Sequence, residues 1–448
     1  MIRKSTESET NRTQLEMVTL DELVPADHLV RKIEAVIDFE FIYPLVEDLY
    51  SEDRGRPSVD PVVLIKMAFL QYLFGIRSMR QTIREIETNV AYRWFLGFGF
   101  TDKVPHFSTF GKNYVRRFQY TSLFDDIFYH ILEQAADAGF IDRAVLFVDS
   151  THVKANANKR KLVKKTVRKE VKHYQEQLDA EVERDREESG KKPLGPKKNQ
   201  AEETKEIKVS TTDPESGYYV KGEREKQFAY SVHAASDAHG FVLGAIVTPG
   251  NVHDSLAFPD LLDKVSNRLI QPFAVAADSA YKNPAIAKLL IDHGILPVFP
   301  YTRPKGKKGA FKTKDFIYDE HHDVYICPNN ELLTYSTTMR EGKRKYVSNP
   351  TVCVNCPLLE QCTKSQKHQR IIERHLWQSY IDEVEDLRHT ELNRNIYDRR
   401  KQTVERVFAD AKEKHGMRWT RYRGLEKVSM QAMLTFAALN LKKMAGWA

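Results

Sequence analysis

Apolar residues recur at helical intervals through the first third of the chain. From Val62 to Leu73 they are spaced three and four residues apart, which predicts a helix. Gly75 is expected to end this helix, and Ser78 is expected to cap a second one. A third helix is expected over residues 109–118. The pattern therefore predicts three consecutive helices.

The third predicted helix has an apolar side and a basic side. The apolar side consists of Phe110, Tyr114 and Phe118, and the basic residues are Lys112, Arg116 and Arg117. Such a basic side is either a solvated face or a surface that contacts nucleic acid. We favour the second interpretation, with this helix as the third of a helix-turn-helix-like unit.

A different pattern begins near residue 144, where short continuous apolar runs replace helical spacing. Runs of this kind are typical of buried strands. The pattern predicts strands at residues 144–148, 228–234, 241–247, 273–277 and 295–299, and helices at 258–269 and 284–293. This β-β-β-α-β-α-β order predicts an α/β fold, with a mixed sheet flanked by helices.

Two segments interrupt the α/β region. Residues 156–209 contain 16 Lys or Arg and 11 Asp or Glu, which predicts a charged helical insertion. Residues 303–385 contain all four cysteines, and helical periodicity returns at 392–414 and 428–444. We therefore expect an N-terminal segment (residues 1–57), a helical domain (58–122) and an α/β domain (140–302 with 386–448). The two insertions are expected at residues 156–209 and 303–385.

Composition narrows the class of protein. The 448 residues are 41% hydrophobic, so the chain can form real cores, and the net charge of +7 suits a polyanionic partner. No apolar stretch approaches the roughly 20 residues of a membrane span, and the first residues lack a secretory signal. Four cysteines exclude a disulfide scaffold and suit a reducing cytoplasm.

Two aspartates follow predicted strands. Asp149 comes after the first strand and Asp278 after the fourth, so each carboxylate should lie at an edge of the sheet. A single Asp in this position is usually a turn residue or a helix cap. In a mixed sheet of this order, however, strands one and four can lie side by side and bring the carboxylates together. Adjacent carboxylates repel unless a cation neutralises them, and their hard oxygens suit Mg²⁺ or Mn²⁺.

The last long helix offers a third carboxylate, Glu405. Its neighbours form a buried stripe of Val404, Val407, Phe408 and Ala411. Lys412 lies seven residues after Glu405, so the two share a helix face that borders this stripe. On position alone, the favoured interpretation of Glu405 is an exposed residue of a basic helix.

These residues belong to motifs that resemble a known family. The segments are Phe147-Val-Asp-Ser-Thr151, Thr248-Pro-Gly-Asn-Val-His-Asp-Ser255, Ala276-Ala-Asp-Ser-Ala-Tyr281, and the helix with Glu405. In this order they resemble the DDE transposases of bacterial insertion sequences, in the group with a long insertion between the second Asp and the catalytic Glu. The resemblance covers nearly the whole chain, including the helical N-terminal domain.

The Glu motif of that group reads Tyr-x2-Arg-x3-Glu-x6-Lys. Tyr397, Arg400, Glu405 and Lys412 match it, but four residues separate Arg400 from Glu405 where three are usual. Lys401 stands at the expected spacing, so the basic position is open between Arg400 and Lys401. The resemblance implies that these basic residues, with Tyr397 and Lys412, contact phosphate near the scissile bond.

The resemblance implies an RNase H-like catalytic domain that holds two Mg²⁺ (or Mn²⁺) ions. Asp149 would bridge both ions, and Asp278 and Glu405 would flank them. Water would cut the transposon ends, and the freed 3′-hydroxyl would attack target DNA. The implied partners are terminal inverted repeats, target DNA and a second copy of the chain, in the bacterial nucleoid. The alternatives are a metal-dependent nuclease without strand transfer and a transposase-derived DNA-binding protein without chemistry.

Two further features have competing interpretations. The four thiols, Cys327, Cys353, Cys356 and Cys362, could close a structural zinc site or remain four reduced thiols in a β-rich insertion. Residues 159–172 are predominantly basic and begin with Lys159, Arg160 and Lys161. This basic stretch is either an exposed helix or a set of phosphate contacts on DNA.

Overall fold

The computed structural model describes residues 14–51, 58–168, 174–195, 204–221, 225–269, 271–303 and 309–447. The chain forms two compact units. One comprises Met1–Ile141, Ala409–Arg418 and Ser429–Ala448, and the other comprises Asp142–Phe408 and Trp419–Val428.

Both units contain helices, but the strands of the described ranges all lie in the second. The helices are α1 (Leu20–Leu23), α2 (Leu29–Val36), α3 (Ile42–Val46), α4 (Pro61–Leu73), α5 (Met79–Thr88), α6 (Val90–Leu96), α7 (Ser108–Asn113), α8 (Leu123–Asp137), α9 (Gln175–Glu188), α10 (Asp254–Arg268), α11 (Pro284–Asp292), α12 (Pro350–Cys353), α13 (Leu359–Cys362), α14 (Gln378–Leu387), α15 (Glu391–Asp398), α16 (Val404–Glu413) and α17 (Leu425–Trp447). The strands are β1 (Val145–Lys154), β2 (Leu162–Arg168), β3 (Thr204–Ser210), β4 (Gly217–Lys221), β5 (Glu225–Ser236), β6 (Val242–Pro249), β7 (Ala274–Ala276), β8 (Leu296–Val298), β9 (Ile317–Asp319), β10 (Val324–Ile326), β11 (Leu332–Thr338), β12 (Lys343–Ser348) and β13 (Ile371–His375). The protein is thus mixed α/β.

The predicted N-terminal helices are present. The first is α4, and Gly75 ends it with a φ of +63°. A Cβ at Gly75 would lie 2.6 Å from the Lys414 carbonyl oxygen, so glycine is required there. Ser78 caps α5, since its side chain accepts the Gln81 N–H at 3.3 Å.

The third predicted helix changes type along its length. It begins as α7 and continues as a π-helical turn, Tyr114–Phe118. Its predicted apolar side is confirmed, because Phe110, Tyr114 and Phe118 are all buried. Of the three basic residues of this helix, Lys112 and Arg116 are exposed.

A six-stranded mixed sheet organises the second unit. Its strands run in the order β6, β5, β1, β7, β8, and β4 also pairs with β5. All five predicted strands occur in it, and α10 and α11 follow β6 and β7 as expected. The sequence pattern missed β4, whose residues Gly217–Lys221 lack a continuous apolar run.

The first strand is longer than predicted. The apolar run ends at Val148, but β1 continues to Lys154 because it pairs antiparallel with β5 from Phe147 to Lys154. Asp149 therefore lies within a strand, opposite Ala234, rather than after it. The prediction that Asp149 follows the end of its strand is wrong, because pairing with β5 extends a segment that its own polar residues would not.

The first insertion is only partly helical. Its charged helix is α9, but Leu162–Arg168 forms β2, which pairs antiparallel with β3. The helical prediction is wrong for β2, where the β-branched residues Val163, Thr166 and Val167 favour extended backbone. Residues 169–173, which include the end of the basic stretch, lie outside the described residues.

The two insertions pack together. The second contains a five-stranded antiparallel sheet in the order β13, β12, β11, β10, β9, and α9 of the first packs on it. Asp185 on α9 is buried and accepts hydrogen bonds from Arg344 Nε at 2.7 Å and from the Thr338 hydroxyl. At Gly342, with a φ of +72°, a Cβ would lie 2.5 Å from the Leu178 side chain, so the sheet and α9 meet closely.

None of the helices in the described ranges has both the length and the apolar character needed to cross a membrane.

Candidate active site

The sheet aligns the first two predicted carboxylates. β1 and β7 run parallel, with Val145 opposite Ala274 and Phe147 opposite Ala276. Continuing this register by two residues sets Asp149 opposite Asp278, just beyond the last paired residues. The prediction that these two strands lie side by side is therefore confirmed.

Asp149 is the more buried carboxylate, with its side chain 20% exposed. The pKa of Asp149 is raised to about 6, mainly by burial and in smaller part by the charges of Asp278 and Glu405. The guanidinium of Arg400 and the Ser150 N–H, which donates at 2.8 Å, oppose this rise. The site therefore concentrates negative charge in a poorly solvated place.

Arg400 connects the first carboxylate with the third. Its Nη2 lies 2.7 Å from Asp149 Oδ2, and its Nη1 lies 3.0 Å from Glu405 Oε1. The Arg400 side chain is 8% exposed, whereas Lys401 is exposed. Of the two basic candidates left open by the motif spacing, Arg400 is the one that contacts the carboxylates.

A break in the last helical region makes this contact possible. The predicted helix over residues 392–414 is not continuous: α15 ends at Asp398, a 3₁₀ turn spans Arg399–Gln402, and α16 begins at Val404. Thr403, between them, has φ −106° and ψ −104°, outside the helical region. Residues five apart in an unbroken helix lie about 140° apart around its axis, so Arg400 and Glu405 would diverge. The break turns Arg400 back towards Glu405.

The stripe beside Glu405 is confirmed. Val404, Val407, Phe408 and Ala411 are all buried, and the Glu405 side chain remains 45% exposed. Glu405 thus stands at the border between the core and solvent, where a ligand can reach it. Lys412 lies two turns further along α16, within the first compact unit, and its role stays a prediction.

Tyr397 lies beside the same group of charges. Burial raises the pKa of its phenol, Arg400 lowers it, and the charges of Asp278 and Glu405 raise it. Tyr397 also lines a cavity of about 280 Å³ with Arg388, Arg394 and the segment Phe299–Tyr301. Tyr397 therefore links the charged group to a cavity that is lined by two arginines.

Sequence reasoning missed a second set of polar residues behind the site. Buried His233 lies next to Asp254, with 3.6 Å between Nδ1 and Oδ1, and its Nε2 lies 2.9 Å from Thr248 Oγ1. Burial lowers the pKa of His233 to about 4. Burial also raises the pKa of the Tyr281 phenol well above its usual value, as do the charges of Asp254, Asp149 and Asp278. The sequence signal that could have identified this set is the position of Thr248, Asp254 and Tyr281 within two segments that resemble the family motifs.

The two histidines near the motifs have structural hydrogen bonds. His152 Nε2 lies 3.2 Å from the Gly250 carbonyl oxygen, and its ring stacks on Tyr219. His253 caps α10, where its Nδ1 accepts the Ser255 N–H at 3.3 Å. Neither arrangement requires a catalytic role.

The predicted DNA-contacting residues differ in their surroundings. Lys112 and Arg116 are exposed, whereas Arg117 is half-buried, lies over the Tyr50 ring and donates to the Asn113 side chain. In the second unit, Lys159, Arg160 and Lys161 are all exposed in the turn before β2. Arg117 is therefore engaged within its own unit, and the other five charges face solvent.

The carboxylates fit a hard cation by their chemistry. Among the described residues, no group of three or more His, Cys, Asp or Glu side chains is spaced to hold a metal ion. In this structure the positive charge between Asp149 and Glu405 is the guanidinium group of Arg400. Carboxylate oxygens are nevertheless the ligands that suit Mg²⁺ or Mn²⁺, which retain water and accept substrate oxygens as ligands.

Comparison with known proteins points to one family. A model described as Transposase domain (DUF772) matches residues 18–116, and one described as Transposase DDE domain matches residues 326–445. The second match contains Tyr397, Arg400 and Glu405. No curated protein matches the chain significantly. The two matches confirm the resemblance to the DDE transposases of insertion sequences.

Proposed function

We propose that this DDE transposase catalyses cut-and-paste transposition, by metal-dependent hydrolysis at transposon ends and transfer of the 3′-hydroxyl to target DNA. The observation that carries the proposal is the meeting of Asp149 and Glu405 on Arg400, with Asp278 aligned beside Asp149. Three carboxylates from distant parts of the chain converge there beside an arginine. A structural role alone would not require so many carboxylates around one buried arginine.

In this proposal Asp149, Asp278 and Glu405 hold two Mg²⁺ (or Mn²⁺) ions in an RNase H-like core. Such ions activate the attacking oxygen and stabilise the leaving oxygen in phosphoryl transfer. The strand order, with three antiparallel strands and two parallel ones beyond β1, supports a core of this kind. The role of the carboxylates is to present their oxygens to the ions at the sheet. The pairing of β1 with β7 limits the positions that Asp149 and Asp278 can take.

The arginine would act on the substrate. When phosphate and metal enter, Arg400 can exchange its carboxylate partners for phosphate oxygens, since its fork of donors matches both. Tyr397, Lys401 and Lys412 are proposed as further phosphate contacts, and Arg388 and Arg394 lie along the adjacent cavity. DNA would thus approach the carboxylates along a basic surface.

Two ends must be cut together before either is joined, so we propose that a homodimer assembles on DNA in the nucleoid. The assay that tests the function uses the purified chain, its own flanking DNA ends and Mg²⁺. We expect nicks that leave 3′-hydroxyls, followed by joined products with target DNA. Nicks without joining would instead identify a nuclease, and end-specific binding without nicks would identify a DNA-binding protein.

Charge removal should separate the two proposed DNA-binding surfaces. The double substitution Lys112→Gln with Arg116→Gln should reduce the preference for terminal-repeat DNA over random DNA, because recognition helices read base edges. Neutralising Lys159, Arg160 and Lys161 should weaken binding to all duplexes and lower the salt slope by about 0.9 for each phosphate that the protein no longer neutralises. Binding titrations at several salt concentrations measure both effects.

Arg117→Gln is the matched control within the helix, because Arg117 already contacts Tyr50 and Asn113. It should change the sequence preference less than the Lys112 and Arg116 pair. An unchanged preference in the double variant would mean that another part of the chain reads the repeat.

A further inference from the structure

The second insertion contains a small cavity lined by all four cysteines of the chain. The cavity has a volume of about 30 Å³ and lies beside the sheet of β9 to β13. Cys327, Cys353, Cys356 and Cys362 line it, each is half-buried, and none forms a disulfide. These thiols come from three separate segments, so the fold rather than local sequence brings them together.

The turn that follows β10 points backbone donors at one sulfur. The N–H groups of Asn329 and Glu331 lie 3.3 and 3.4 Å from Cys327 Sγ. Asn330, between them, has a φ of +58°, so the chain turns tightly around the sulfur. The turn therefore fixes this sulfur beside the cavity that the other three thiols line.

Two of the other thiols end short helices, and the third lies in the turn between these helices. Cys353 is the last residue of α12, and the Cys356 N–H donates to its carbonyl oxygen at 3.1 Å. Cys362 is the last residue of α13. Burial raises the pKa of the Cys362 thiol, and the other three cysteines raise it further against the opposing effect of Arg370. The four sulfurs therefore influence one another electrostatically.

The five-stranded sheet beside this cavity has a small hydrophobic core of its own. The core of the five-stranded sheet consists of Phe316, Tyr325, Leu333, Tyr346 and Ile372, with Cys327 and Cys362 packed against it. Between β12 and β13 the only helices in the described structure are α12 and α13, of four residues each. Small cores of this size are commonly stabilised by a metal or disulfides.

We propose that Cys327, Cys353, Cys356 and Cys362 together bind one structural Zn²⁺ ion. Four thiolates satisfy its tetrahedral preference, with Zn–S distances of about 2.3 Å. As the side chains stand, the described residues contain no group of three such ligands at metal-holding spacing. The thiols must therefore turn into the cavity they already line. The ion ties the turn after β10 to the segment between β12 and β13.

A redox pair is a poorer interpretation of the same residues. Reactive CxxC cysteines lie at helix N-termini, where the helix dipole lowers the thiol pKa. Here Cys353 is instead the last residue of α12, and Cys356 follows the C-terminal end of that helix. The two remaining thiols in the same cavity would also have no role in a two-cysteine exchange.

The test measures bound zinc and reactive thiols in the full chain, purified under reducing conditions without chelator. Because the chain has only four cysteines, every thiol counted belongs to this cavity. We expect about one zinc per chain and no rapidly reacting thiols, and four reacting thiols after zinc is removed by a chelator. Absence of zinc with four freely reacting thiols would overturn the proposal, and so would two disulfides.

Two variants locate the metal. Cys356→Ser should lose most of the bound zinc, whereas His322→Ala should keep it. His322 is the matched control, since it is a possible ligand in the same insertion whose Nδ1 lies 2.8 Å from Asp319. Full zinc content in Cys356→Ser would place the ion elsewhere. None of these measurements depends on DNA cleavage, so they succeed or fail independently of the proposed transposition.

Discussion

Alanine at Asp149, Asp278 or Glu405 is expected to abolish DNA end cleavage while end binding persists. Without the full carboxylate set, the metals that stabilise charge on the transferring phosphoryl group are lost. We expect a decrease of about 10³-fold or more in the cleavage rate, at the upper end of losses for single charge-stabilising groups. Single-turnover cleavage of labelled ends measures it, and binding titration shows that the ends are still held.

Asp410→Ala is the matched control for Glu405→Ala. Asp410 lies five residues further along α16, about 140° around the helix, and its Oδ1 pairs with Lys414 Nζ at 2.7 Å. That exposed pair is worth only about 0.3–0.5 kcal/mol, so the variant should fold and cleave normally. Loss of cleavage in Asp410→Ala with retention in Glu405→Ala would overturn the site assignment.

Arg400→Gln is expected to lower the cleavage rate by about 10²-fold, a typical loss for one donor to a charged transition state. Arg400 is buried against Asp149 and Glu405, whereas the neighbouring Lys401 faces solvent. Lys401→Gln should therefore change the rate by only a few-fold. The same single-turnover assay, with DNA above saturation, separates a slower chemical step from weaker binding.

Arg400→Lys refines this comparison. A lysine keeps the charge but cannot contact two oxygen groups in the planar, forked geometry of the guanidinium, so rescue should be partial. The thermal stability of each variant should also be measured, because Arg400→Gln leaves Asp149 without its ion-pair partner. A cleavage defect in Lys401→Gln that exceeds the defect in Arg400→Gln would make Lys401 the phosphate contact, as the motif spacing alone suggests.

Several features were predictable because they depend on local periodicity. The apolar runs before Asp149 and Asp278 identify two buried strands, and the β-β-β-α-β-α-β order allows them to be neighbours. The stripe of Val404, Val407 and Phe408 likewise shows which side of the last helix is buried. Burial of apolar surface imposes these patterns directly on the sequence, so they can be read from it.

Other features depend on partners that are distant in the sequence. β1 continues through Asp149 because β5, some 80 residues later, offers backbone hydrogen bonds to its polar half. The Leu162–Arg168 segment is extended because β3 pairs with it. Charge density alone predicted a helix there. That prediction is wrong because intrinsic propensity is weak compared with a complete ladder of backbone hydrogen bonds.

By itself, the sequence determined the class of fold, the two strands that lead to Asp149 and Asp278, and the helix that carries Glu405. Only the tertiary structure decided that Arg400 rather than Lys401 meets these carboxylates, that α9 packs on the second insertion, and that four cysteines share one cavity. The physical reason is the range of the interactions. Hydrophobic periodicity repeats within one element, whereas a helix break at Thr403, the buried Asp185–Arg344 pair and a cluster of thiols exist only once separate segments have packed.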